Sequence, residues 1–262
     1  MRRHLPEDPE EFRLSFIGHL EELRTRLIRS LMILLFAWVG AWFLQPSVYR
    51  ALEKVVMGAV PKGTQSTVAF HTITDPFMLK LSNSLVLGIM IASPLLILQL
   101  WAFIAPGLKP NERLPFQRGA PAAILLFAIG CFFGWIVLPS AYEWFGSYLE
   151  DYGNAGLFQD PLKMVSLSLK MLLAFGIGFQ LPLITFILYK FGILRPSTLN
   201  RYWRHSTVII FIVSAVLTPS NDPFSMLMMA LPLTILFFGT IVVIRAIESR
   251  QPWPAELNRL DV

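Results

Sequence analysis

The chain has 262 residues, of which 55% are hydrophobic and only 15% charged, against roughly 25% charged in an average soluble domain. The charges cluster in short blocks between apolar runs of about 14 to 25 residues, near the length of about 20 that crosses hydrocarbon as a helix; a soluble domain could not bury so many separate runs, so the composition predicts an all-α membrane protein. A net charge of +5 reads as an asymmetry of the loops and not as a nucleic-acid surface, and the single cysteine, Cys131, excludes a disulfide framework or a cysteine metal site.

From the N-terminus, residues 8–29 predict an amphipathic surface helix. Asp8-Pro9-Glu10-Glu11 has an N-cap, a proline for the first helical position and acids for the first turn. Phe12, Phe16, Leu20, Leu23 and Leu27 follow at spacings of four, four, three and four, which gathers them on one face. Arg13, Glu21, Glu22, Arg24 and Arg26 line the other. Such a helix should lie along the membrane interface and then turn in. The segment lacks the form of a signal peptide, since the first apolar run begins only near residue 30.

Six spans follow, near 30–45, 76–104, 119–139, 162–188, 205–219 and 223–245, with 246–262 as a tail, all in a single transmembrane domain over 1–262. Pro94 should kink the second span and Pro182 the fourth. The fifth rises only about 22 Å against a hydrocarbon core of about 30 Å. It and the sixth should therefore thin the bilayer locally or tilt little. With the N-terminus inside, 16 of the 22 basic residues fall in inner segments and 4 in outer ones; both termini then face the cytoplasm. Asp75-Pro76, Asp160-Pro161 and Asp222-Pro223 open the three helices that run from outside to inside. In each, the Asp can cap and the Pro can take the first turn.

Catalytic constellations are missing. The four histidines are scattered, and the sequence contains no H-E-x-x-H, no G-x-S-x-G and no phosphate-binding glycine loop. No metal, no cofactor and no enzyme activity are expected. No Asp or Glu lies in the apolar interior of a span, as an ion-coupled permease would need. The most polar deep residue is Gln180. Either it bonds a neighbouring helix or the backbone freed by Pro182, or it offers a polar contact to a guest helix. Among the cytoplasmic carboxylates, Glu112 is the only acid in the stretch Ala105 to Arg113; by itself it reads as a solvated loop charge.

Four stretches carry a resemblance. They are His19 to Arg24 (HLEELR), Ser93 to Leu108 (SPLLILQLWAFIAPGL) with Glu112 beyond, Phe175 to Pro182 (FGIGFQLP), and Leu217 to Ser225 (LTPSNDPFS) followed by Ala230-Leu231-Pro232. In order and spacing they resemble TatC, the multi-spanning subunit of the twin-arginine protein translocase. The resemblance implies a receptor subunit of the bacterial or archaeal cytoplasmic membrane that reads twin-arginine signal peptides at its cytoplasmic face. Carried over residue by residue, it implicates Glu22, Arg24, Phe103 and Glu112, and it makes Glu112 more than a solvated charge. A guanidinium forms bidentate pairs with a carboxylate that a lysine cannot reproduce. The implied partners are folded substrates, single-span subunits resembling TatA and TatB, membrane lipids and further copies of the chain, with no nucleic acid. Export of folded proteins would be driven by the proton-motive force. The chain departs from the family at Gln180, where a glutamate commonly stands, and at Phe238, which follows Leu236-Phe237 where the family often has a glutamate.

Overall fold

The computed structural model describes residues 9–61, 64, 66–104, 110–152, 156–190, 194, 199, 201–220 and 222–250. Helix α1 runs from Pro9 to Gly58, α2 from Asp75 to Ile104 and α3 from Pro110 to Ser147. Helices α4 (Pro161–Gly178) and α5 (Leu181–Lys190) follow, then α6 (Trp203–Leu217) and α7 (Pro223–Arg250). Two three-residue strands, β1 (Ser66–Val68) and β2 (Leu157–Gln159), pair in parallel. Among the described residues, five stretches are long and apolar enough to cross a membrane, α4 and α5 counting as one, and α6 is a shorter apolar helix.

Two expectations about the first element are corrected. The N-terminal helix does not turn at residue 29: α1 is continuous through it, because Ile28-Arg29-Ser30-Leu31 contains no Gly or Pro to break the ladder. Nor does the helix stop at residue 45, where the first span is expected to end; α1 passes through Pro46 and ends at Gly58. An interior proline costs about 3 kcal/mol. Beyond it Leu52 and Val56 are almost fully buried, and burying such side chains contributes roughly 1.5–3 kcal/mol each, which offsets the break. At 50 residues, α1 is about 75 Å long and outreaches the hydrocarbon at both ends.

α1 and α2 pack antiparallel. Trp38 Nε1 donates to Ser84 Oγ (3.0 Å), and Gly88 lies so close to Trp38 that a Cβ there would stand 2.8 Å from its Cα. Farther out, Lys80 Nζ sits 4.8 Å above the Trp42 ring. α2 continues through Pro94 without interruption, with Ser93 Oγ donating to the Ile89 carbonyl (2.7 Å). At Pro182 the expected break is present: the fourth element divides at Phe179–Gln180 into α4 and α5.

α4 is the central helix. Phe175 is fully buried in a seam of small residues. A Cβ on Gly130 would come 2.6 Å from the Phe175 carbonyl oxygen, and one on Gly134 would come 3.2 Å from the Phe175 side chain. On the other side, Gly178 admits Met229 of α7. Lipid supplies no hydrophobic drive between helices, so close backbone approach of this kind is what holds them together. α3 and α4 are pinned at their outer ends by Tyr142, whose hydroxyl donates to the Met164 carbonyl (2.9 Å) and lies 3.1 Å from Ser168 Oγ. Trp144 of α3 stacks on Phe224 of α7 (4.8 Å, 6°).

The three Asp-Pro pairs are not equivalent. Asp160 caps α4 by accepting from Leu162 N (2.9 Å), with Pro161 in the first turn. Asp222 caps α7 by accepting from Ser225 N (2.7 Å), ahead of Pro223. Asp75 does not cap its own helix. Its carboxylate turns back to accept from His71 N and Thr72 N (both 2.8 Å) and from the Thr72 hydroxyl. The carbonyl of Thr74 takes the first helical N–H groups, those of Phe77 and Met78. Asp75 therefore ties down the connection that leads from β1, and Pro76 still occupies the first turn.

Candidate functional site

Along α1, exposure falls at Glu22, Arg26 and Ser30, and the same side continues through Ala41, Gln45, Leu52 and Val56. Spacings of four, seven and eleven put these residues on one side of the helix, the side packed against the bundle. Glu22 heads this stripe, whereas Glu21, Leu23 and Arg24 are exposed. Arg24 follows Glu22 by two positions, about 200° of helical turn, so the structure does not bring these two candidates to one face.

Glu22 is already paired. Arg26 donates to its Oε1 through Nη2 (2.6 Å) and Nε (3.0 Å), and the two side chains are only 30% and 21% exposed. A carboxylate offers about four lone-pair positions, so Arg26 leaves room for a second cation.

The antiparallel register brings α1 and α2 together at the same end. Trp38 is level with Ser84 to Gly88. Both helices rise about 1.5 Å per residue, so Glu22, 16 residues before Trp38, is level with positions 100 to 104. There α2 carries half-buried Phe103. The start of α3 is held beside this end by Trp101, whose ring packs so tightly on Gly119 that a Cβ there would approach to 2.5 Å.

Glu112 stands in the first turn of α3, seven residues or about 10 Å before Gly119; its side chain lies outside the described residues. Expected in a loop, its backbone is instead helical. Pro110 suits the first helical position, and an acid is favoured in the first turn by the helix dipole. Glu22, Phe103 and the first turn of α3, which carries Glu112, thus lie at the same end of the bundle.

Gln180 sits at the α4–α5 break, half-buried. Its Nε2 donates to the Ala123 carbonyl of α3 (3.1 Å) and to the Gly176 carbonyl (3.5 Å). Of the two readings of this amide, the structure supports the helix-to-helix bond. At Phe238, the other departure from the family pattern, the ring packs on Trp203 of α6 (centroids 5.8 Å). Among the described residues no group of three or more His, Cys, Asp or Glu could hold a metal ion.

Sequence reasoning missed the β1–β2 ribbon, the glycine seam and the Glu22–Arg26 pair. The i,i+4 spacing of Glu22 and Arg26 was a legible signal for the last of these.

The family model described as Sec-independent protein translocase protein (TatC) matches residues 18–232. The TatC protein of Deinococcus radiodurans is 35% identical over 253 residues, covering 94% of this chain and 92% of that protein. That of Carboxydothermus hydrogenoformans is 31% identical over 246 residues, covering 92% and 97%. A crystal structure titled twin arginine translocase receptor TatC superposes with a TM-score of 0.71 at 30% identity, over 87% of this chain and 98% of that one. The chain therefore belongs to the TatC family of Sec-independent protein translocase proteins, multi-pass membrane proteins of protein transport.

Proposed function

We propose that this protein is the signal-peptide receptor of a twin-arginine translocase. It spans the cytoplasmic membrane six times with both termini inside, as one transmembrane domain. The observation that carries the reading is that Glu22, Phe103 and the first turn of α3 lie at one end of the bundle, the end where basic residues predominate. Glu22 and Glu112 are the anionic contacts for the paired arginines, and Phe103 supplies an apolar contact beside them. Arg24 is carried by the family resemblance alone and acts from the other side of α1.

The bundle core is filled by Phe175, Leu169, Met229 and Leu233, which supports the need for partners if a folded substrate is to cross. Single-span subunits resembling TatA and TatB, further copies of the chain and the proton-motive force complete the proposed system, on the support of family membership. The test is binding of a twin-arginine signal peptide and of its Lys-Lys variant to the purified protein. Preference for the arginine peptide, lost in the Glu22→Gln, Glu112→Gln double mutant, is the expected result. Equal binding of both peptides to wild type would refute the reading.

A further inference from the structure

A groove of about 650 Å³ opens between α3, α5 and α7. It owes its shape to two features of the sequence. Pro182 divides the fourth element, so α5 leaves the line of α4. Small residues then face the gap: Gly119 and Ala122 on α3 and Gly239 on α7. Gly239 is open, since a Cβ there would meet nothing within 4 Å. The walls are apolar, Phe186 and Val243 among them. The hydroxyl of Thr240, also in the lining, is spent on the Leu236 carbonyl (2.8 Å).

Among the described residues, one charged side chain lines the groove. Lys190, the last residue of α5, is exposed, and its Nζ lies 5.7 Å from the Phe186 and Tyr189 rings. Glu248 lies near enough to Tyr189 to act on it electrostatically, but Tyr189 is buried on another side of α5 and does not line the groove. The groove is an apolar slot with a cation at one end.

Its length identifies the occupant. From Pro182 to Lys190 on α5, and from Ile235 to Val243 on α7, the lining runs nine residues, a rise of about 12 Å. That suits the acyl chains of one leaflet, whose hydrocarbon is about 15 Å deep, and covers less than half of a helix crossing about 30 Å. A cation at the end facing the headgroups selects negative charge. We propose that this groove binds an anionic phospholipid, its acyl chain along Gly119, Ala122 and Gly239 and its phosphate on Lys190. The choice of the cytoplasmic leaflet rests on the orientation proposed above.

The test uses the full-length protein in a mild detergent, with lipid retention followed by native mass spectrometry against phosphatidylglycerol and phosphatidylcholine. Wild type should retain one phosphatidylglycerol in preference to phosphatidylcholine. Lys190→Gln should lower the affinity for phosphatidylglycerol about five-fold and abolish the preference. Gly239→Leu fills open space without a clash and should lose both lipids. Val216→Phe, at a site on α6 that is 79% exposed, controls for general lipid contact and should retain the wild-type complement. Unchanged retention in Gly239→Leu, or equal retention of the two lipids by wild type, would overturn the proposal. So would Gly239→Cys forming a disulfide with a cysteine placed on a partner subunit's helix while phosphatidylglycerol retention is lost.

Discussion

The pairing of Glu22 with Arg26 makes the proposed recognition site a competition. An incoming guanidinium must share or displace an i,i+4 partner whose own bond is worth only about 0.3–0.5 kcal/mol at this exposure. A charge-assisted hydrogen bond contributes roughly 1.5–3 kcal/mol, and water access reduces it. The net loss on Glu22→Gln should therefore be about 1–2 kcal/mol, or five- to thirty-fold in Kd. Glu112→Gln should behave alike, and Glu112→Lys worse, because it adds repulsion.

Arg26→Gln has the opposite sign: it releases Glu22 and should tighten binding about two-fold. Glu21→Gln, exposed and about 100° around the helix from Glu22, should change nothing. Raising salt should weaken the wild type and hardly affect the double mutant. The assay is fluorescence anisotropy of a labelled twin-arginine signal peptide titrated with the protein in nanodiscs. Equal Kd for wild type and the Glu22→Gln, Glu112→Gln double mutant at low salt would refute the reasoning. Weaker binding in Arg26→Gln would refute the competition.

Four further outcomes are expected. In a Cys131→Ala background, single cysteines at 112 and 255 should label from the cytoplasm and those at 62 and 152 from the opposite side; outside labelling at 112 would overturn the six-span orientation. Gly130→Val should cost several kcal/mol in thermal unfolding, because a Cβ there already meets the Phe175 carbonyl at 2.6 Å and overpacking alone costs typically 1–3 kcal/mol; an unchanged Tm would show that α3 and α4 can move apart. Gln180→Leu removes the bond to Ala123 (3.1 Å) and should lower stability by only about 0.6 kcal/mol, yet it should reduce transport measurably; unimpaired transport would leave the amide a purely structural bond. Spin labels beside α6 should report a bilayer thinned below about 30 Å, since its 15 residues rise only about 22 Å, and normal thickness there would count against it.

Much was legible along the chain because a bilayer is a one-dimensional filter. Each apolar run must satisfy its own backbone within a helix, so the helical character of the runs and the shortness of α6 could be read directly. Glu22 and Glu112 could be nominated through motif and family resemblance. Their surroundings could not, since the bond from Arg26 and the helical start of α3 depend on rotamers and helix ends that a motif does not encode. The three Asp-Pro pairs make the same point. Identical dipeptides predict identical caps, yet Asp75 serves the backbone of His71 and Thr72, because unpaired N–H groups of the preceding connection lie within its reach.

Sequence alone therefore determined that this is a helical membrane protein of the TatC family, with carboxylates concentrated outside the apolar spans. The helical membrane character and the placing of the carboxylates follow from composition and periodicity, and the family from the four matching stretches. Tertiary structure alone decided that α1 runs unbroken through Pro46, that Glu22 rather than Arg24 turns toward the bundle, that Gln180 spends its amide on α3, and that a groove opens beside α5. Each of these depends on which backbone approaches which: a proline is tolerated when packing beyond it offsets the lost bond, and a glycine becomes a seam or a gap according to the helix opposite it.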